Sequence, residues 1–182
     1  NNWLTYAGLT LSKEHLQIQA KKRVKNHIIG TAASRVTRLR RKEEEIQSFI
    51  QNVKRHLDDP FFVAGIMLYE AEGSKGQSNG FSNSDFRLIS VYVNFLEKYL
   101  SLNRNLNMGF RLYIHDTRKA DLSKIINFWS KKLQVNNKNI RLSWKHNIVT
   151  KRRSNPNYVG QFEVRIRKFP NFTGKLLAVS DI

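Results

Sequence analysis

The chain contains one short apolar run that ends in two acidic residues and a glycine. The run covers residues 63–73 and reads Val-Ala-Gly-Ile-Met-Leu-Tyr-Glu-Ala-Glu-Gly. Asp59 followed by Pro60 is typical of a helix start, and the final glycine is typical of a helix end. The sequence therefore predicts a helix that presents Glu70 and Glu72 in its last turn.

The carboxyl end of a helix is an unfavourable place for two carboxylates, because it already carries a partial negative charge. A divalent metal ion or the nearby Lys75 could compensate for them. The alternative is that Glu70 and Glu72 are simply solvated at a frayed helix end. Both interpretations are open at this point.

The charge balance favours a polyanionic partner. The 182 residues include 32 Lys and Arg against 14 Asp and Glu, which gives a formal net charge of +18. Nucleic acid is the commonest partner of such a chain, and no segment has the pattern of a helix that lies in or crosses a membrane. The chain has no cysteine, which agrees with a reducing compartment. We therefore expect a cytoplasmic, nucleoid-associated protein with no membrane partner.

The amino-terminal third is basic and mostly helical. Ser12 can cap a helix, apolar residues recur at three- and four-residue steps up to Leu57, and Gly30 could divide the segment in two. Its narrow apolar stripe suggests a strut, an arm across phosphates or a dimer contact, and a solvated charged face is an equal alternative. We expect a basic helical arm in residues 1–58 and an α+β domain in residues 59–182.

The rest of the chain alternates between helical and strand patterns. A loop or short hairpin leads to an amphipathic helix that Ser84 or Asp85 can cap. The period-two segments 110–115, 140–145 and 162–168 read as half-buried strands, and a helix separates the first two.

If these strands share a sheet, the face turned away from the helices carries basic side chains. These are Arg111, Arg141, Lys145, Arg165 and Arg167, and a basic loop follows with Lys151, Arg152 and Arg153. Arginine and lysine on such a surface contact phosphates and guanine edges. The sequence therefore predicts contact with nucleic acid. RNA is the less favoured target, because the aromatic residues lie on helical core stripes.

The chain resembles the LAGLIDADG-type homing endonucleases and their DNA-binding relatives. Ala64-Gly65 matches the small residues of their motif helix, Glu72-Gly73 matches its end, and residues 81–85 match a strand that runs into the next helix. The spacing between the two glycines is two residues longer than in that family, so Glu70 aligns with the motif acid when counted from Gly65, and Glu72 does when counted from Gly73. The resemblance implies an α+β fold whose helices pack on an antiparallel sheet with a basic saddle face.

The chain resembles more closely a bacterial group of DNA-binding proteins that combine a helix-turn-helix module with a LAGLIDADG-like domain. The shared patterns are Leu68-Tyr69, Glu72 to Lys75, Asn83 to Asp85, and Phe128 to Ser130. Trp3-Leu4 and Leu9-Thr10 are similar to the end of the helix-turn-helix module in that group. The resemblance therefore implies that most of this module could precede the sequence.

The resemblance also implies a mechanism. Two copies would pack through Ala64 and Gly65, and Glu72, or else Glu70, would hold Mg²⁺ at the scissile phosphates. Lys75 would stabilise charge on the phosphate, and Lys145 or His115 would position water, while the arginines and Asn83 would bind DNA.

The functional prediction is thus Mg²⁺-dependent, site-specific cleavage of double-stranded DNA by a homodimer, and the alternative is a non-catalytic DNA-binding regulator on the same fold. The sequence shows no zinc-ligand spacing, nucleotide-binding loop or nucleophile signature, so we expect no small-molecule substrate.

Overall fold

The computed structural model describes residues 6–8, 12–76, 79–146 and 158–182. The chain divides into two compact units, Asn1–Glu45 and Ile46–Ile182. Helix α1 (Lys13–Val53) is continuous through Gly30, so this glycine does not divide it. Further α-helices lie in the second unit. They are α2 (Pro60–Glu72), α3 (Phe86–Leu100), α4 (Leu122–Leu133) and α5 (Phe172–Ser180).

The predicted helix starts are confirmed by their capping hydrogen bonds. The main-chain N–H of His15 donates to Ser12 Oγ over 3.2 Å at the start of α1. Asp59 accepts from the N–H of Phe61 over 2.9 Å, with Pro60 as the first residue of α2. Asp85 accepts from the N–H of Arg87 over 2.8 Å before α3. Local side-chain chemistry therefore determines where these helices begin.

Four strands form one mixed sheet in the second unit. They are β1 (Gly80–Asn83), β2 (Met108–His115), β3 (Ile140–Lys145) and β4 (Gln161–Ile166), in the order β1-β4-β2-β3. The α+β class is confirmed, but the prediction of an antiparallel sheet is wrong for one pair. Strands β2 and β3 are parallel, because α4 lies between them in sequence and lets the chain return to the same end of the sheet.

One face of the sheet packs against the helices. Phe110, Leu112 and Ile114 of β2 are buried there together with Phe162 and Val164 of β4. Their neighbours in sequence point to the opposite face, as the period-two pattern predicts. On β3 the alternation is weaker, and Leu142 stays 38% exposed, because β3 is an edge of the described sheet.

Aromatic stacking joins the layers of the core. The rings of Tyr69 in α2 and Tyr92 in α3 are stacked at 5.9 Å, and Trp129 in α4 stacks on Phe162 in β4 at 4.4 Å. All four residues are fully buried. The aromatic residues of α3 and α4 thus form core, as predicted from their helical spacing.

Helix α5 is a finding that the sequence analysis did not anticipate. It buries Phe172, Leu176 and Val179. Among the described residues, no helix is long and apolar enough to cross a membrane.

Candidate nucleic-acid interface

The sheet has a second face, opposite the one that packs on the helices, which we call the outer sheet face. Strand register places Arg111 between Arg141 on β3 and Glu163 on β4, and places Gly109 beside Arg165. The outer sheet face consists of Gly80, Ser82, Gly109, Arg111, Tyr113, His115, Arg141, Ser143, Lys145, Gln161, Glu163 and Arg165. Arg167 follows directly after β4.

Four arginines of this region line a single cavity of about 210 Å³, which we call the arginine pocket. Its wall consists of Gly109, Phe110, Arg111, Arg141, Arg165, Ile166 and Arg167. The structure therefore brings together four of the arginines predicted to bind DNA. Guanidinium groups are the side chains best suited to bidentate contact with phosphate or with a guanine edge.

Gly109 makes room for one of these arginines. A Cβ atom at this position would lie 2.5 Å from an Nη atom of Arg167. The guanidinium of Arg167 therefore lies on the bare main chain of β2, and glycine is the residue that permits this approach. The sequence analysis did not single out Gly109, although a glycine inside a strand pattern is a signal of such close contact.

A buried carboxylate holds part of the outer sheet face in place. Glu163 is 7% exposed, and its Oε1 lies 2.9 Å from Nε of Arg165. The hydroxyl of Tyr113 donates to Oε2 of Glu163 over 3.0 Å, and Arg111 donates to that hydroxyl over 3.3 Å. The adjacent Glu163 carboxylate raises the pKa of Arg165. Glu163 thus orients two pocket arginines, directly or through Tyr113.

Lys145 belongs to a second hydrogen-bonded group on the outer sheet face. Its Nζ donates to Gln161 Oε1 over 3.0 Å and lies 5.7 Å from the ring centroid of Tyr113. Gln161 in turn donates to Ser82 Oγ over 3.1 Å. These contacts hold the lysine across the sheet. His115 lies at the end of β2, with its Nδ1 4.0 Å from Asp116 Oδ1.

Glu70 and Glu72 are both exposed at the end of α2. Glu70 accepts a hydrogen bond from Ser180 Oγ over 3.2 Å through its Oε2. The ammonium group of Lys75 donates to the main-chain carbonyl of Glu70. Lys75 thus supplies positive charge at the helix end, one of the two means of compensation that the sequence suggested. Among the described residues, no group of three or more His, Cys, Asp or Glu could hold a metal ion.

The acidic end of α2 borders the sheet beside β1. Gly73 pairs with Phe81 in an isolated antiparallel bridge, and the N–H of Ser74 donates to the carbonyl of Gly80 over 2.7 Å. Phe81 is paired with Val164, which in turn is paired with Phe110 beside the arginine pocket. At about 4.8 Å per strand spacing, the main chain after Glu72 lies roughly 10 Å from β4 and 14 Å from β2.

The adjacent small residues Ala64 and Gly65 of α2 have different environments. Gly65 is buried, and a Cβ there would overlap the ring of Phe95 in α3. Gly65 therefore packs closely against another helix of the same chain and is not exposed for contact with a second copy. Ala64 is exposed and lies on an apolar row with Val63, which is 38% exposed, and Met67, which is 44% exposed. We call Val63, Ala64, Met67 and Ala71 the α2 row.

Asn83, predicted to contact DNA, has a local structural role. Its Oδ1 accepts from the N–H of Asp85 over 2.9 Å in the turn before α3. Register pairs Asn83 with Phe162, so it belongs to the face that packs on the helices. Lys151, Arg152 and Arg153 lie outside the described residues, as do the Trp3-Leu4 and Leu9-Thr10 patterns.

Comparison with known proteins yields no match to this chain among family models, curated proteins or solved structures. The resemblance to LAGLIDADG-type proteins therefore stays a prediction.

Proposed function

We propose that this protein binds double-stranded DNA through its outer sheet face. The observation that supports the proposal is the arginine pocket, where four guanidinium groups converge on one cavity of about 210 Å³. Glu163, the acidic residue of the outer sheet face, is already paired with Arg165. Such a pocket has an excess of positive charge that a phosphate or guanine edge can neutralise.

The shape of the sheet suits a duplex. The central antiparallel strands β2 and β4 carry Arg111 and Arg165 as diagonal neighbours, and the exposed Arg141 and Arg167 line the same pocket. Because β2 and β4 lie between β1 and β3, these side chains form a broad basic surface that the phosphates and base edges of a duplex can contact. The net charge of +18 would attract DNA at long range. We expect the arginines to make the close phosphate contacts and the remaining charge to add long-range attraction.

The test is binding to a labelled random-sequence duplex, followed by fluorescence anisotropy. The double variant Arg141→Gln/Arg167→Gln should bind at least about tenfold more weakly, because each hydrogen bond to a charged group such as phosphate contributes about 1.5–3 kcal/mol. The matched control is Lys124→Gln/Lys131→Gln, which removes the same charge from exposed positions on α4. Equal losses in the two variants would contradict binding at the outer sheet face.

A second candidate function is Mg²⁺-dependent DNA cleavage by a homodimer of the LAGLIDADG type. The observation that favours it is the exposed α2 row, which leads to the acidic helix end. Exposed aliphatic side chains on one helix face are typical of an interface, and Ala64 and Ala71 would let two α2 helices approach closely. Glu70 follows Val63 and Met67 at helical spacing, so it continues the α2 row more directly than Glu72 does.

Glu70 and Glu72 suit such an ion chemically, but enough ligands come together only when two copies of the chain combine. Carboxylate oxygens are the ligands that Mg²⁺ prefers, and each chain offers Glu70 and Glu72 at an exposed position. When bound, the ion would activate water and stabilise negative charge on the phosphate. Glu72 or Glu70 would hold it, and Lys75 would keep positive charge beside the same helix end.

Cleavage and simple binding are separated by incubating the parent protein with a random duplex library and Mg²⁺. Cleavage that is lost in Glu70→Gln or Glu72→Gln, and retained in Glu14→Gln on α1, would support the endonuclease. Binding without cleavage by the parent would favour the non-catalytic DNA-binding regulator. Cleavage that survives both substitutions would contradict the proposed ligands.

A further inference from the structure

Helix α1 exposes aliphatic side chains along most of its length. Ile18, Ile29, Val36 and Leu39 are 57%, 57%, 67% and 55% exposed. Helices in proteins derive most of their stability from packing of an apolar face, and the β-branched residues here are poor intrinsic helix formers. A helix with this composition therefore calls for a packing partner.

Of the exposed aliphatic residues of α1, Ile18, Ile29, Val36 and Leu39 fall on one heptad stripe, and Leu16, Val24 and Ile28 lie off it. Steps of four, three, four, three and four residues connect Lys25, Ile29, Ala32, Val36, Leu39 and Glu43. We call these six residues the α1 seam. Alternating three- and four-residue steps place side chains on one stripe of a helix that packs against another helix in a coiled coil.

The charges within the α1 seam decide between the two possible orientations of a second copy. In a parallel pair in register, Lys25 would face Lys25 and Glu43 would face Glu43, which are unfavourable contacts in a seam. In an antiparallel pair centred on Ser34, each residue faces the residue of the other copy that lies equally far from Ser34 on its opposite side. Lys25 then faces Glu43, Ile29 faces Leu39, and Ala32 faces Val36. Every residue of the α1 seam meets an opposite charge or an apolar side chain.

We propose that the α1 seam binds the α1 seam of a second copy of this chain as an antiparallel coiled coil. The contact is two-fold symmetric, so each pair of facing residues occurs twice. Most basic side chains of α1 lie off the seam and repel one another across the pair. Added salt should therefore strengthen association. This interface is separate from the α2 row and does not depend on the DNA-binding proposal.

The test uses engineered cysteines, since the chain has none of its own. The variant Lys25→Cys/Glu43→Cys should form a disulfide-linked dimer under mild oxidation without DNA. Lys25→Cys alone should not, because the two copies of residue 25 would lie about 27 Å apart in the antiparallel pair. Efficient cross-linking of Lys25→Cys alone would demonstrate a parallel pair and overturn the proposal.

The matched control for cross-linking is His27→Cys/Arg41→Cys. These two positions are also equally far from Ser34, but they lie on the side of α1 opposite the α1 seam. It should cross-link at least about tenfold less. Sedimentation provides a second measurement, in which Ile29→Ser/Leu39→Ser should weaken dimerisation at least about tenfold. Leu16→Ser/Val24→Ser, which changes exposed aliphatic residues off the seam, should leave it unchanged. A parent protein that sediments as a monomer at all salt concentrations would overturn the proposal.

Discussion

The guanidinium of Arg167 lies over the main chain of Gly109, where a Cβ atom would come within 2.5 Å of its Nη atom. This contact brings a side chain from the segment after β4 onto β2. It closes one side of the arginine pocket, so the position of Arg167 depends on the absence of a side chain at residue 109.

Gly109→Ala should therefore displace Arg167 while leaving the sheet intact. The contact involves the far end of a flexible side chain, and alanine is no worse than glycine in a strand, so the free energy of unfolding should change by less than about 1 kcal/mol. Affinity for duplex DNA should fall several-fold. Urea unfolding and fluorescence anisotropy measure the two quantities, and unchanged affinity would show that Arg167 does not contact DNA from this position.

Glu163→Gln tests whether the buried carboxylate orients the pocket. Glutamine can still accept from Tyr113, but it loses the ion pair with Arg165 Nε at 2.9 Å. We expect the free energy of unfolding to fall by about 1–3 kcal/mol, the usual cost of leaving a buried polar group without its partner. Duplex affinity should also fall, although the substitution makes the protein more positive. A rise in affinity would indicate that charge alone, without orientation, governs binding.

Features set by local chemistry could be predicted from the sequence. Ser12 and Asp59 can be predicted as caps, and Ser84 or Asp85 as the cap of α3, because a cap bonds to a residue two or three positions away. The arginines of the outer sheet face followed from period-two alternation. The parallel pairing of β2 with β3 could not be predicted in the same way, because strand pairing depends on contacts between distant segments.

Close contacts between residues that are far apart in the chain could not be predicted from the sequence either. Nothing local to Gly65 indicates that Phe95 packs on it, and nothing local to Glu163 indicates that Tyr113 and Arg165 enclose it. Period-two alternation puts Glu163 on the same face of the strand as Arg165, but it does not indicate that Glu163 is buried there. The sequence feature that could have indicated the role of Glu163 is that it is a single acidic residue among arginines.

Gly65→Ala should destabilise the protein, because its Cβ would overlap the buried ring of Phe95. Overpacking of a core typically costs about 1–3 kcal/mol, and the gain in helix propensity offsets only about 1 kcal/mol of this. Urea unfolding measures the change. Ala64→Ser, on the exposed α2 row, is the neighbouring control and should cost about 0.5 kcal/mol. Equal effects would contradict the packing of Gly65 inside the chain.

The stability of the α+β unit should depend on the charge of Asp59. Hydrogen bonds from Tyr99, Lys98 and the N–H of Phe61 lower the pKa of Asp59 from 3.8 to about 2. A carboxylate with a lowered pKa stabilises the fold above its ordinary pKa, and this stabilisation disappears as the pH falls from about 4 to about 2.

The matched variant is Asp59→Asn, since asparagine also caps helices. It should be less stable than the parent near pH 5, and the difference should shrink as the pH approaches 2. Urea unfolding at several pH values measures it. A difference that is independent of pH would show that the charge of Asp59 contributes nothing.

The salt dependence of DNA binding is the most direct test of the outer sheet face. For duplex DNA, the slope of log K against log salt concentration changes by about 0.9 for each phosphate neutralised. The account predicts that Arg111→Gln/Arg141→Gln/Arg167→Gln binds duplex more weakly and has a shallower slope, by up to about 2.7. If the triple variant keeps the affinity and slope of the parent, DNA does not bind at the outer sheet face.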